Sequence, residues 1–252
     1  MLKNYPEVIC FVAHDTMVRE SYFHCYKVVV RLSETYTTLL DGITLHNVVD
    51  DMPDSTVNHV CRQPGTTALV YMIDIESRVG QAIRARLGEQ PYVDLTALLA
   101  TPELLELLAG GVQAMERHLP TFANDVLLAL LPTLRLLPVP VLDNRVHQII
   151  DFIETNIDRT LVLQKVAEAV NLSNERTRHL FKEQVGVPFT QFVLWKRIKA
   201  VVRAVLEEDV ELVQAIHQYG FFDQSHFNRV FKRMFGTRAT YFLKQNPYIR
   251  LV

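Results

Sequence analysis

The chain has 252 residues, 49% hydrophobic and 21% charged, with nine glycines and eleven prolines, which excludes a disordered, low-complexity or collagen-like protein and leaves room for two ordinary domains. Its net charge of −2 hides a division: residues 1–142 carry 10 Lys and Arg against 16 Asp and Glu, and residues 143–252 carry 16 against 12. A polyanion would prefer the second part.

The start, Met1 to Pro6, lacks the basic end and apolar run of a secretion signal. The richest apolar run, Phe122 to Leu142, is broken by Asp125, Arg135 and three prolines, so no membrane span is expected and the protein is read as cytoplasmic. Cys10, Cys25 and Cys61 are odd in number and match no metal-ligand spacing, which predicts free thiols in a reducing compartment. Short runs rich in β-branched and aromatic residues predict strands at Val8–Val12, Tyr26–Leu32, Thr37–Asn47 and Thr67–Ile75. Turn formers separate them, at Asp41-Gly42, Asp50 to Asp54 and Gln63-Pro64-Gly65, and a small β-barrel or sandwich follows.

After Gly88 the apolar spacing becomes helical. Leu104, Leu108, Val112, Met115 and Leu119 form one stripe and Val126, Leu130, Leu134 and Leu137 a second, predicting two antiparallel helices joined near Pro120. Such stripes pack more often within their own domain than against a second copy of the chain. Pro138 and Pro140 oppose helix, which places a linker at 138–143 between domains at 1–137 and 144–252. Beyond it the pattern is helical at roughly 144–157, 162–170, 174–184, 189–206, 210–219, 223–235 and 238–244.

Residues 162–186 have the pattern of a helix-turn-helix. Val166, Ala167 and Val170 form the inner face of a first helix, Asn171 suits a left-handed turn, Leu172 plugs the gap and Ser173 caps the next helix. That helix turns Thr177, Leu180, Phe181 and Gln184 or Val185 inward, leaving Asn174, Glu175, Arg178, His179 and Lys182 outward. A second version runs from Ala215 to Gly236: Gly220 takes the turn, Phe221 is the plug, and Asp223 caps a helix that buries Phe227, Val230 and Phe231. Gln224, Ser225, His226, Asn228, Arg229 and Lys232 then lie on or near its open side. These residue types suit a DNA major groove, where Gln pairs with adenine, Arg with guanine and Lys with phosphate. Between the copies, Phe189 to Leu206 spells one helix of about 27 Å, a spacer able to hold two recognition helices about one DNA turn, ~34 Å, apart.

The residues 145–242 resemble the AraC/XylS transcription regulators. The resemblance is most specific in Gly220 to Gly236, G-F-x-D-x-S-H-F-x-R-x-F-K-x-x-x-G, and extends to A-x-x-x-N-L-S at Ala167 to Ser173, Leu180 to Lys182, Gly186 to Phe189 and the Arg197-Ile198 pair. Three places depart from the family pattern: Ala215-Ile216 stands where Ile-Ala is usual, Thr-Arg-Ala-Thr follows Gly236 where Thr-Pro is usual, and Val162 replaces a capping Thr or Ser.

The resemblance implies that the outward residues of both second helices touch base edges of double-stranded DNA. It also implies a cupin-like sensor domain before them, matched locally by Ile73 to Gly80, and hence an α+β chain: a small cupin-like β-barrel with two helices, then an all-α double helix-turn-helix domain. His24, His46 and His59 are isolated, so neither a metal nor another cofactor is expected. Tyr22, Tyr26, Tyr36 and Tyr71 either line an effector cavity or fill the barrel. No readable nucleophile and base motif supports an enzyme. The expectation is a regulator, usually an activator contacting RNA polymerase, whose first domain dimerises or answers to a small-molecule effector or a protein partner.

Overall fold

The computed structural model describes residues 7–14, 25–32, 38–40, 43–45, 48–51, 67–88, 90, 92–96, 100–109, 111–130, 142–235, 238–245 and 249–251. They fall into two compact units, one spanning 140–231 and the other drawing on 6–139 together with 232–252. The cut passes through a helix, and the last twenty-one residues group with the sheet rather than with the helical unit.

The sheet unit is built on β1 (Val8–His14), β2 (Tyr26–Arg31), β5 (Val48–Asp51), β6 (Thr67–Ile73), β7 (Tyr92–Asp94) and β8 (Ile249–Leu251). Their order is β7-β5-β2-β6-β1-β8, every pairing antiparallel. In the middle, β6 pairs with β1 from Val8↔Ile73 to His14↔Thr67 and with β2 from Tyr26↔Ile73 to Arg31↔Ala68. All seven residues of β6 are buried, which is why these strands are unbroken apolar runs instead of alternating ones. A separate antiparallel pair, β3 (Thr38–Leu40) and β4 (Ile43–Leu45), runs in register from Thr38↔Leu45 to Leu40↔Ile43.

Several expectations change here. Among the described residues the sheet is open, with β7 and β8 at its edges, and closure into a cupin-like barrel is not seen. Asp50, assigned to a turn, lies inside β5 and faces Lys27 in the register. The strand β7 stands where the spacing after Gly88 reads as helical, and β8 lies beyond the last expected helix at 238–244; three-residue strands are too short to show a period.

Helix α1 (Arg78–Leu87) begins at Ser77, whose Oγ accepts from the Gly80 amide at 2.9 Å and donates to the Asp74 carbonyl at 2.6 Å. A Cβ on Gly80 would stand 2.2 Å from that same carbonyl oxygen, so glycine is required for the turn to close. After it come α2 (Pro102–Ala109) and α3 (Gly111–Leu130). The first ends at Ala109, the second begins at Gly111, and Pro120 sits within α3, correcting the helix boundary expected near that proline. A single proline removes only one intrahelical donor and can be carried inside a packed helix. Leu104, Val126 and Leu130 are buried as the stripes predict, while Leu134 and Leu137 lie outside the described residues.

Tyr26 and Tyr71 are buried in the sheet, and the Tyr71 hydroxyl donates to the Ala123 carbonyl at 2.8 Å, tying α3 to β6. Burial holds its phenol well above the ordinary tyrosine range. Tyr22, Tyr36, Cys61, His24, His46 and His59 lie outside the described residues. Cys10 and Cys25 are buried free thiols.

Candidate nucleic-acid interface

The helical unit opens with α4 (Asn144–Thr155), whose N-cap Asp143 accepts from the Arg145 amide at 2.9 Å and holds its guanidinium at 2.6 and 3.0 Å. The guanidinium hydrogen bonds first, then the amide one, lower the Asp143 carboxyl to about 2. The Asp143 amide in turn donates to Gln184 Oε1 at 2.6 Å, which explains why Gln184 is half-buried while its neighbour Val185 takes the inward place.

The first helix-turn-helix consists of α5 (Leu163–Ala169) and α6 (Asn174–Val185). Val162 offers no side-chain cap to α5, as its apolar side chain dictates. Asn171 takes a left-handed φ of 54°, and the Leu172 amide then returns to the Ala167 carbonyl at 3.0 Å. Ser173 caps α6 by accepting from the Arg176 amide at 3.2 Å, and Gly186 ends it at φ 92°. Thr177, Leu180, Phe181 and Val185 are buried, and Phe181 meets Phe189 and Phe192 edge-on at 5.9 and 5.1 Å. Asn174, Glu175, Arg178, His179 and Lys182 are all exposed. Glu175 and His179 stand 3.8 Å apart, too loose and too solvated to hold each other against a nucleic-acid partner.

The spacer is α7 (Phe189–Glu207), 19 residues and therefore about 28 Å long. Its cations are not free for DNA: Lys196, Lys199 and Arg203 are buried, with Lys196 paired to Glu154 at 2.7 Å and Arg203 to Glu208 at 2.9 Å. Part of the positive balance seen in the sequence is thus spent inside the unit. Arg197 has a different task. One of its guanidinium nitrogens donates to the Arg159 carbonyl in front of α5 at 2.8 Å, and the other to the Gly220 carbonyl in the second turn at 3.3 Å. A single side chain thereby fastens the spacer to both helix-turn-helix units. Desolvation lowers its pKa from the usual arginine value.

The second unit consists of α8 (Leu212–Gln218) and α9 (Gln224–Phe235), followed by α10 (Ala239–Gln245). Gly220 turns the chain at φ 77°, with the Phe221 amide returning to the Ile216 carbonyl at 3.2 Å. Asp223 caps α9 by accepting from the His226 amide at 2.6 Å. Phe221 packs edge-on against Phe227 at 4.9 Å, and Phe227 continues to Phe231 at 5.5 Å. Ala215 and Ile216 are both fully buried, so the exchanged order of these residues is absorbed in the core. Gln224, Ser225, Arg229 and Lys232 are exposed; Val230 is half-buried where full burial was expected. His226 and Asn228 are half-buried, and Asn228 Oδ1 is buried without a hydrogen-bond partner among the described residues. These two side chains therefore lean toward the core side of the open face.

Two capped second helices, each presenting polar and cationic side chains outward and fastened to one spacer, define a double helix-turn-helix, the architecture of a DNA-binding transcription regulator. Residues 166–245 match the family described as "Helix-turn-helix domain". The multiple antibiotic resistance protein MarA of Escherichia coli is 28% identical over 90 residues, covering 36% of this chain and 71% of MarA. The arabinose operon regulatory protein of the same organism is 28% identical over 165 residues, 65% of this chain and 49% of that protein. With the motif and these relatives together, residues 166–245 are a helix-turn-helix domain similar to those of AraC/XylS-type transcription regulators.

The fold extends beyond this domain. ToxT of Vibrio cholerae O395 superposes with a TM-score of 0.60 at 12% identity over 97% of this chain and 99% of its own. ToxT bound to an unsaturated fatty acid superposes at 0.55 with 15% identity over 96% and 95%.

Two features escaped the sequence reading. The grip of Arg197 on two carbonyls has no sequence signal beyond its place in the Arg197-Ile198 pair of the spacer helix. The exposure of Phe222, 87% open to solvent, hides in a sequence where aromatic residues ordinarily mark core.

Proposed function

We propose that the chain recognises a bipartite DNA site by laying α6 and α9 in successive major grooves. In the first, Asn174, Glu175, Arg178, His179 and Lys182 face the DNA. In the second, Gln224, Ser225 and Arg229 read bases and Lys232 takes phosphate, with His226 and Asn228 supporting. The observation that carries this reading is that both helices are capped, buried along one side and exposed along the polar side, on one continuous spacer. The expected site is about 17–20 base pairs, with contacts about 10 base pairs apart. Selection of bound duplexes from a random pool tests it: two half-sites with that spacing support the reading, and no enriched sequence refutes it. On the selected site Arg229→Ala weakens binding by about 1–3 kcal/mol and relaxes the preference at one base, whereas Lys232→Ala weakens all sequences alike.

The sheet unit is the regulatory half in this proposal, a cupin-like sensor that binds an effector, forms a homodimer or both, with activation through RNA polymerase. The likeness in fold to a fatty-acid-bound regulator favours a small molecule over a protein partner as effector. Tyr26 and Tyr71 are too buried to meet an effector without rearrangement. The cavity of about 380 Å³ between α2 and α3 is lined by Glu103, Glu106 and Asp125 beside Leu107, Leu128 and Ala129, which disfavours an anionic occupant there. Thermal shift of the full chain against small metabolites decides the point: stabilisation by one of them supports the proposal, and stabilisation only by a protein from the native host supports the partner reading.

A further inference from the structure

Phe222 is the most exposed large apolar side chain among the described residues, 87% open against 55% for Leu105 and 46% for Val213. It stands immediately before Asp223, the cap of α9. An apolar residue in that place usually folds back onto the fourth residue of the helix, which here is Phe227. That seat is already taken: Phe221 packs edge-on against Phe227 at 4.9 Å. The turn has also been lengthened to admit Phe222. From the left-handed residue to the cap the first unit counts two positions, Asn171 to Ser173, and the second counts three, Gly220 to Asp223. Phe222 is the additional residue, and the fold of α8 and α9 derives no burial from it.

Its place gives it a use. It precedes the exposed Gln224 and Ser225 by two and three positions in the chain, at the amino end of the second recognition helix, the end that enters the groove in a helix-turn-helix. A phenyl ring cannot hydrogen-bond a base edge or neutralise a phosphate. The apolar feature that the major groove offers is the 5-methyl group of thymine. We propose that Phe222 is a specificity-determining residue that reads a thymine in the second half-site by packing its ring against that methyl group. The inference rests on the DNA-binding reading above and goes beyond it, since it names a base preference and a residue with no counterpart in the first unit.

The test uses the full chain and the duplex selected above. Each thymine of the second half-site is replaced in turn by uracil, which removes the methyl and leaves base pairing unchanged, and affinity is measured for the wild type, Phe222→Ala and Phe222→Leu. The expected result is one position where uracil costs the wild type about fourfold, the value of burying one methyl group. There the Phe222→Ala chain binds thymine and uracil duplexes equally, and Phe222→Leu keeps part of the difference. If every uracil substitution affects the wild type and Phe222→Ala alike, the inference is overturned while bipartite binding stands. If Phe222→Ala keeps wild-type affinity and base preferences but loses transcriptional response, the ring docks on a protein instead, and the inference is again overturned. If no duplex is selected at all, the DNA-binding reading falls and this inference with it. Because Phe222 is exposed, circular dichroism of the variants should match the wild type, so a change in affinity is not a failure to fold.

Discussion

At Gly220 two requirements meet in one atom's absence. Its φ of 77° lies where a side chain costs about 1–2 kcal/mol, and a Cβ there would stand 2.9–3.2 Å from the guanidinium of Arg197. Gly186 shares the first requirement alone: φ is 92° and nothing lies within 4 Å of its missing Cβ. Gly186→Ala should therefore cost about 1–2 kcal/mol and Gly220→Ala clearly more, since Arg197 must also give up hydrogen bonds worth about 1 kcal/mol each. Urea denaturation of the two variants checks this, and equal losses would show that the Arg197 contact carries no weight. Arg197→Ala should in turn reduce affinity for the bipartite site more than for either half-site alone, because one of its carbonyl partners stands just before the first helix-turn-helix and the other in the turn of the second. Equal losses on the whole site and on the half-sites would reduce Arg197 to an ordinary packing residue.

Helices of the second half were legible to within a few residues where punctuation marks them. Ser173 and Asp223 cap, Asn171 and Gly220 turn, and Gly186 stops, whereas α5, α7 and α8 have no side-chain cap and were found by apolar spacing alone. Where punctuation is ambiguous the reading failed, as when Pro120 was read as the joint between two helices and was carried inside one in the fold. Short strands fare worst: Val48–Asp51 ends in two aspartates that resemble a turn, and its pairing with Tyr26 to Val29 is a long-range fact that no local pattern contains. The cap at Asp143 also yields a pH prediction. Its carboxyl falls from the ordinary 3.8 to about 2 because Arg145 donates to the charged form. A lowered folded-state value means that the stabilisation is complete above about pH 4 and is lost as pH falls toward 2. The gap in urea midpoint between the wild type and Asp143→Ala should accordingly be constant from pH 7 to 5 and narrow below 4. Asp143→Asn, which keeps a neutral acceptor, should lie between them at pH 7. A gap that persists unchanged at pH 2.5 would detach the cap from the charge.

Across the whole molecule the chain does not partition where composition changes. The basic second part was read as one domain from 144 onward, yet residues 232–252 group with the acidic sheet unit, and β8 pairs with β1 through Ile9↔Leu251, Cys10↔Arg250 and Phe11↔Ile249. Phe242 of α10 packs on Phe11 at 4.7 Å and on Phe235 at 4.8 Å, so the tail is anchored by rings as well as by strand pairing. Hydropathy could not reveal this, because the segment Ile249–Leu251 is too short to carry a period and its partner lies some 240 positions away in the chain. The physical service of β8 is to cover an edge. Without it β1, the run Val-Ile-Cys-Phe-Val-Ala-His, would present unpaired backbone groups on an apolar strand, which templates association with other chains. A chain ending at Gln245 should lose about 1–3 kcal/mol, the worth of a few backbone hydrogen bonds, and should aggregate at concentrations where the full chain stays in solution. Light scattering and urea denaturation of the two chains measure both effects. An unchanged midpoint together with unchanged scattering would mean that β1 is a tolerable edge, and that the return of the carboxy-terminal segment to the sheet contributes nothing to the stability of the folded protein.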